Sequence, residues 1–67
     1  MKPKIVMDLK NVLKRTGMPQ YALAKIIDCP PVNVHRWVTG KTAPSQSWVR
    51  LMEENKQLQS LIKDANV

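Results

Sequence analysis

The amino-acid sequence predicts an all-α fold, a single small domain of four or five short helices. Apolar residues recur at steps of three and four along most of the chain, the spacing that lines up one face of a helix. Glycine and proline interrupt this pattern at Gly17 and Pro19, at Pro30 and Pro31, and between Gly40 and Pro44, where helices are expected to stop and start. A length of 67 residues leaves room for one domain and for no deep catalytic cleft.

Ile5, Val6, Leu9, Val12 and Leu13 mark the buried face of a first helix over residues 5–16, with Lys10, Lys14 and Arg15 on its other side. Gly17 tolerates the positive φ that ends a helix, and Pro19 reinforces the stop. A second, largely apolar helix opens near Gln20 and carries Ala22, Leu23, Ala24, Ile26 and Ile27. The small Ala24 lets another helix approach closely. Asp28 and Cys29 form the next turn. Pro31 suits the first position of a third helix, where its missing N–H costs nothing, and Val34, Trp37 and Val38 are that helix's buried side. Its other side carries Val32, Asn33, His35 and Arg36. Thr39 to Pro44 is a turn-rich connection, after which Ser45 caps a fourth helix. No glycine or proline follows Pro44, so residues 45–64 run as one long helix or as two broken near Asn55.

The net charge of +6 is unevenly distributed. Residues 1–41 hold eight basic side chains (Lys2, Lys4, Lys10, Lys14, Arg15, Lys25, Arg36 and Lys41) against Asp8 and Asp28, whereas Arg50, Lys56 and Lys63 balance Glu53, Glu54 and Asp64 in residues 42–67. All the excess therefore lies in the half that holds the second and third helices. A positive face attracts polyanions, and for nucleic acid much of the gain comes from released counterions. Charge by itself fits DNA, RNA, an anionic membrane surface, or simply solubility. The single Cys29 forms no internal disulfide and suits a reducing cytoplasm. No stretch reaches the apolar length of a membrane span, and the amino terminus lacks the apolar run of a signal peptide. A soluble, cytoplasmic protein is expected.

Two short helices meeting at a tight turn, the second ending in a polar, basic and aromatic cluster, form a candidate DNA-reading element. These residues resemble the helix-turn-helix of the Cro and phage-repressor (XRE-like) family over about residues 5–54. The resemblance rests on Gln20 opening the first helix of the pair, Ala24 at the close-packed small position, Ile27 before the turn and Cys29 after it. Val34 and Trp37 match the two core positions of the recognition helix, and Gly40, Lys41 and Pro44 match the loop beyond it. The resemblance implies a compact lambda-repressor-like DNA-binding domain, here with a C-terminal helical extension. This chain departs from the family pattern at the turn, where Asp28 replaces a usual glycine and must accept a left-handed backbone that Asp tolerates better than most residues. Pro19, Pro30 and Pro31 also stand where relatives carry a capping serine and a serine-glutamine pair. Pro31 makes no side-chain hydrogen bond to adenine, so a different DNA sequence should be read.

A recognition helix belongs in the major groove, which admits a helix and presents a distinct pattern for each base pair. Arg36 is suited to a bidentate contact with guanine, His35 and Asn33 to a base edge or a phosphate, and Val32 to a thymine methyl. The competing reading for Arg36 and Asn33 is a solvated helix face; for His35 it is rotation away from the bases. A second group, Gln20, Tyr21, Thr39, Lys41 and Thr42, is expected to position the protein on phosphates. Gln20 sits at a helix amino terminus, which favours an anion, and the resemblance implies a phosphate contact there. Tyr21 is alternatively packed partly in the core. Trp37 and Trp48 lie at apolar helical spacing and are assigned to the core in preference to base stacking. One Cys and one His complete neither a usual zinc site nor a catalytic triad, so no enzyme, metal or cofactor is expected.

Trp48, Leu51, Asn55, Leu58, Ile62 and Ala65 alternate steps of three and four, as in a coiled-coil seam with asparagine at one inner position. Trp48 and Leu51 are assigned to the domain's own core. Asn55, Leu58, Leu61 and Ile62 then remain for homodimerisation, the alternative being that Leu58, Leu61 and Ile62 fold back onto the first helix. The expected protein is a small transcriptional regulator, most like a Cro-type phage or prophage repressor, binding an inverted-repeat double-stranded DNA operator as a homodimer without a small-molecule ligand. It would act in the cytoplasm of a bacterial or phage-infected cell. Antitoxins and restriction-modification controllers share this architecture, and a protein-interaction adaptor without DNA binding is the reading from another class.

Overall fold

Ile5, Val6, Leu9 and Val12 follow the helical repeat, and in the computed structural model all four are buried along one side of helix α1 (Lys4–Thr16). The structure describes residues 4–66; Lys2, one of the basic side chains counted above, lies outside them. Four further helices follow, α2 (Gln20–Ile27), α3 (Pro31–Val38), α4 (Gln46–Glu54) and α5 (Lys56–Ala65), and the described residues contain no strand. The expected all-α class and the helix positions stand.

Each break between helices has a local cause. At the end of α1 the Gly17 N–H donates to the Leu13 carbonyl oxygen at 3.0 Å with φ at 70°. A Cβ at Gly17 would meet no atom within 4 Å, so backbone conformation alone sets the requirement there. The α2–α3 turn is a Schellman closure. Asp28 stands in the left-handed region (φ 65°, ψ 47°), its N–H donates to the Lys25 oxygen at 3.3 Å, and the Cys29 N–H donates to the Ala24 oxygen at 3.0 Å. Pro31 then occupies the first turn of α3. The same closure recurs at the end of α3, where Gly40 has φ 81°, the Gly40 N–H reaches the Trp37 oxygen at 3.2 Å and the Lys41 N–H reaches the Arg36 oxygen at 2.9 Å. Ser45 caps α4, its Oγ accepting from the Trp48 N–H at 3.4 Å.

The C-terminal segment differs from the expected seam. Asn55 adopts an extended backbone (φ −80°, ψ 106°) that divides α4 from α5. Its Oδ1 accepts from the Leu58 N–H at 2.9 Å, and its Nδ2 donates to the Ile26 carbonyl oxygen at 3.0 Å. Gln59 Nε2 adds a bond to the Met52 carbonyl at 2.9 Å. Leu58 and Ile62 are buried and Leu61 is half-buried against the same cluster, with α5 packed mainly on α1. The dimer seam through Asn55, Leu58, Leu61 and Ile62 is thus replaced by the fold-back. Hydrophobic side chains of α5 complete the core of their own chain, and Asn55 serves as a cap and an interhelix tie. No helical extension projects: the radius of gyration is 10.6 Å, against about 11 Å for a compact chain of this length.

All five helices feed one core. Its buried members are Ile5, Val6, Leu9 and Val12 of α1, Leu23, Ala24 and Ile27 of α2, Val34 and Trp37 of α3, Met52 of α4, and Leu58 and Ile62 of α5. Trp37 meets the half-buried Trp48 edge to face, ring centroids 5.8 Å apart, a favourable arrangement of aromatic quadrupoles. This contact ties α3 to α4 and takes both indoles into internal packing. Leu51 departs from its expected place in the core and is 55% exposed on α4. The periodic seam gives it an inward position, but α4 instead turns the fully buried Met52 and the half-buried Trp48 and Val49 to the core.

Candidate nucleic-acid interface

The eight residues of α3 divide cleanly between two environments. Val34 and Trp37 enter the core, and α3 packs closely on α2 and also on α1. On the opposite side Val32, His35 and Arg36 are exposed, Val32 to 48%, while Asn33 is half-buried. An eight-residue helix anchored through Val34 and Trp37, with the half-buried Val38 packed against the same core, has little freedom to roll, so the outward set is presented as a unit. All four expected base readers lie on α3, and three of the four are open to solvent.

Gln20 and His35, fifteen residues apart, meet at this surface. His35 Nδ1 lies 3.2 Å from Gln20 Oε1. With the amide oxygen as acceptor the ring nitrogen is the donor, and a neutral imidazole in that tautomer keeps Nε2 as a free acceptor. This contact joins one residue expected on a phosphate to one expected on a base, and sequence spacing offered no signal for it. It also holds His35 toward the amino terminus of α2.

The phosphate candidates are unequal. Tyr21 is 68% exposed, so its ring is outside the core. Gln20 is half-buried in the first turn of α2, where the Pro19 carbonyl accepts from the Ala22 N–H at 3.1 Å and from the Leu23 N–H at 3.4 Å. Lys41 and Thr42 are exposed, and their backbone N–H groups both donate to the Arg36 carbonyl, at 2.9 and 3.3 Å. The loop is thereby fixed to the carboxyl end of α3. Thr39 Oγ1 donates to the His35 carbonyl at 2.7 Å, so its hydroxyl proton is spent inside α3 and only its lone pairs face outward. Lys14, Arg15 and Lys25 are exposed and Lys10 half-buried on α1 and α2.

Cys29 lies beside this surface in an open groove of about 440 Å³ shared with Tyr21, Lys25, Asp28 and Pro31. Burial, and then the neighbouring Asp28 carboxylate, push its thiol above the ordinary value, which keeps it protonated at neutral pH. Among the described residues, no cluster of three or more His, Cys, Asp or Glu side chains is arranged to hold a metal ion, and no helix is long and apolar enough to cross a membrane. Comparisons of the chain with protein-family models, with curated proteins and with solved structures find no match.

Proposed function

We propose that this protein is a sequence-specific double-stranded DNA-binding regulator of the helix-turn-helix type, with α2 and α3 as the motif and α3 as the helix that enters the major groove. The observation that carries this reading is the two-sided character of α3, locked into the core through Val34 and Trp37 while Val32, His35 and Arg36 are exposed and Asn33 is half-buried at the flank. The surplus of positive charge lies in the same half of the chain, which favours a polyanion as the partner. The resemblance to Cro-type and other phage repressors supports the same reading.

Within it, Arg36 contacts guanine O6 and N7, and Val32 meets a thymine methyl. With Nδ1 donating to Gln20, His35 Nε2 accepts a hydrogen bond from the amino group of an adenine or cytosine. The first turn of α2 and the Lys41–Thr42 loop receive phosphates on either side. A helix of eight residues spans about 12 Å and reads only a few base pairs, so two protomers on an inverted repeat are needed for useful specificity. Such a complex represses by occupying a promoter.

Selection of bound sequences from random duplex DNA at near-physiological salt tests the proposal. The expected result is an enriched inverted repeat with half-sites about one helical turn apart. Retention that weakens with salt but enriches no sequence would replace specific reading by general nucleic-acid binding. No retention at all would overturn the reading and leave a protein-interaction adaptor.

A further inference from the structure

Leu51 is a large apolar side chain of α4 that the core does not take in. At 55% exposure it lines a shallow groove of about 320 Å³ with Gln46, Ser47, Arg50 and Glu54. Ser47, Arg50, Leu51 and Glu54 fall at steps of three and four, so they make one stripe on the side of α4 turned away from the buried Met52. Neither the Arg50 guanidinium nor the Glu54 carboxylate has an ion pair or side-chain hydrogen bond among the described residues. An exposed leucine thus lies between two unpaired charges of opposite sign, one turn apart.

We propose that this stripe is the docking surface for a second copy of the chain, through an antiparallel α4–α4 pair about a two-fold axis at the level of Met52. Such an axis sets Arg50 opposite the partner's Glu54 and Glu54 opposite the partner's Arg50. It also brings Leu51 to the partner's Leu51 with an axial offset of only about 3 Å, two steps of the helical rise. The small Ser47 allows the backbones to close. The contact is isologous and self-limiting, giving a closed pair instead of a chain of copies. Global charge points to the same surface: residues 42–67 sum to zero while residues 1–41 carry the whole +6, so two copies meeting through α4 keep their basic halves apart. The docking deepens the dimeric part of the proposed function and supplies the interface that Leu58 and Ile62, committed to the core, do not provide.

A nine-residue helix is about 13 Å long and contributes less than the roughly 800 Å² per partner of a standard interface. Association off DNA is therefore weak, and adjacent half-sites raise it through effective concentration. Sedimentation equilibrium of the full chain, run without DNA over a series reaching the millimolar range, is the test. The wild type should dimerise reversibly, and Arg50→Glu and Glu54→Arg should each be monomeric with helical content unchanged. An equimolar mixture of the two variants should dimerise again, because the carboxylates at 50 and 54 of one then face the guanidinium groups at 50 and 54 of the other. A wild type that stays monomeric, variants that dimerise like the wild type, or a mixture that stays monomeric would each overturn the proposal. Since no DNA is present, none of these outcomes bears on base reading by α3, which the duplex selection judges.

Discussion

Arg36 illustrates how one side chain can be free to read because its neighbours are not. Its carbonyl oxygen accepts from the Lys41 and Thr42 N–H groups, which fixes its backbone while the guanidinium remains exposed. In the proposed DNA complex, Arg36→Ala should relax preference at one operator position by about 1–3 kcal/mol without lowering the thermal midpoint. Repeating the duplex selection with the variant checks this, and unchanged preference at every position would remove Arg36 from the readers. Cys29 carries a different residue-scale expectation. Its folded-state pKa is raised by burial and then by Asp28, so the folded chain holds the thiol proton more tightly than the unfolded chain. This contribution is fully present below the unfolded thiol value and is lost as pH rises through the folded one. Urea titrations above about pH 8.5 should therefore show wild-type stability falling with pH more steeply than that of Cys29→Ser.

At the scale of elements, the turns define where helices point. Asp28 holds a left-handed conformation that costs an L-residue roughly 1–2 kcal/mol, less for Asp, partly offset by the greater entropy glycine loses on folding. Asp28→Gly should raise the thermal midpoint slightly, and Asp28→Val should lower it, as followed by circular dichroism. If both variants melt with the wild type, the turn is not under the constraint that its φ of 65° indicates. Asn55 joins three elements at once: it ends α4, caps α5 through Leu58 N–H and ties α5 to the Ile26 carbonyl of α2. Asn55→Ala leaves that carbonyl without its partner and removes the cap, at a cost of about 1–3 kcal/mol. Chemical denaturation should show this as a lower midpoint with little change in slope.

On the scale of the whole molecule, a chain this small has little stability to spare, about 3–10 kcal/mol for its length. Leu58 is fully buried and forms part of the single core that all five helices share. Leu58→Ala should therefore cost about 2–5 kcal/mol and leave the chain partly unfolded at room temperature, measured by urea titration. A folded variant of wild-type stability would restore α5 to the surface and revive the seam. The division of labour between halves is also a molecular property: residues 1–41, which include α1, α2 and α3, carry the excess positive charge, while residues 42–67, which include α4 and α5, sum to zero and close the core.

Helix class, the positions of the breaks and the inward side of α1 and α3 were legible in the sequence because they depend on local matters: 3.6-residue periodicity, positive φ at Gly17 and Gly40, and the fit of Pro31 to a first helical turn. The outward set on α3 followed from the same periodicity, since fixing Val34 and Trp37 inward fixes Val32, His35 and Arg36 outward. The fate of the last twenty residues was not legible. A seam with steps of three and four looks identical whether its apolar side chains meet a second copy or their own first helix, and only the tertiary structure decided for α1, by breaking the helix at Asn55 and using that side chain to satisfy Ile26. The Gln20–His35 contact was equally hidden, because a hydrogen bond across fifteen residues depends on the relative placement of α2 and α3. Patterns within a helix are written in its own residues, whereas the choice among partners for an exposed face depends on which surface the rest of the chain brings within reach.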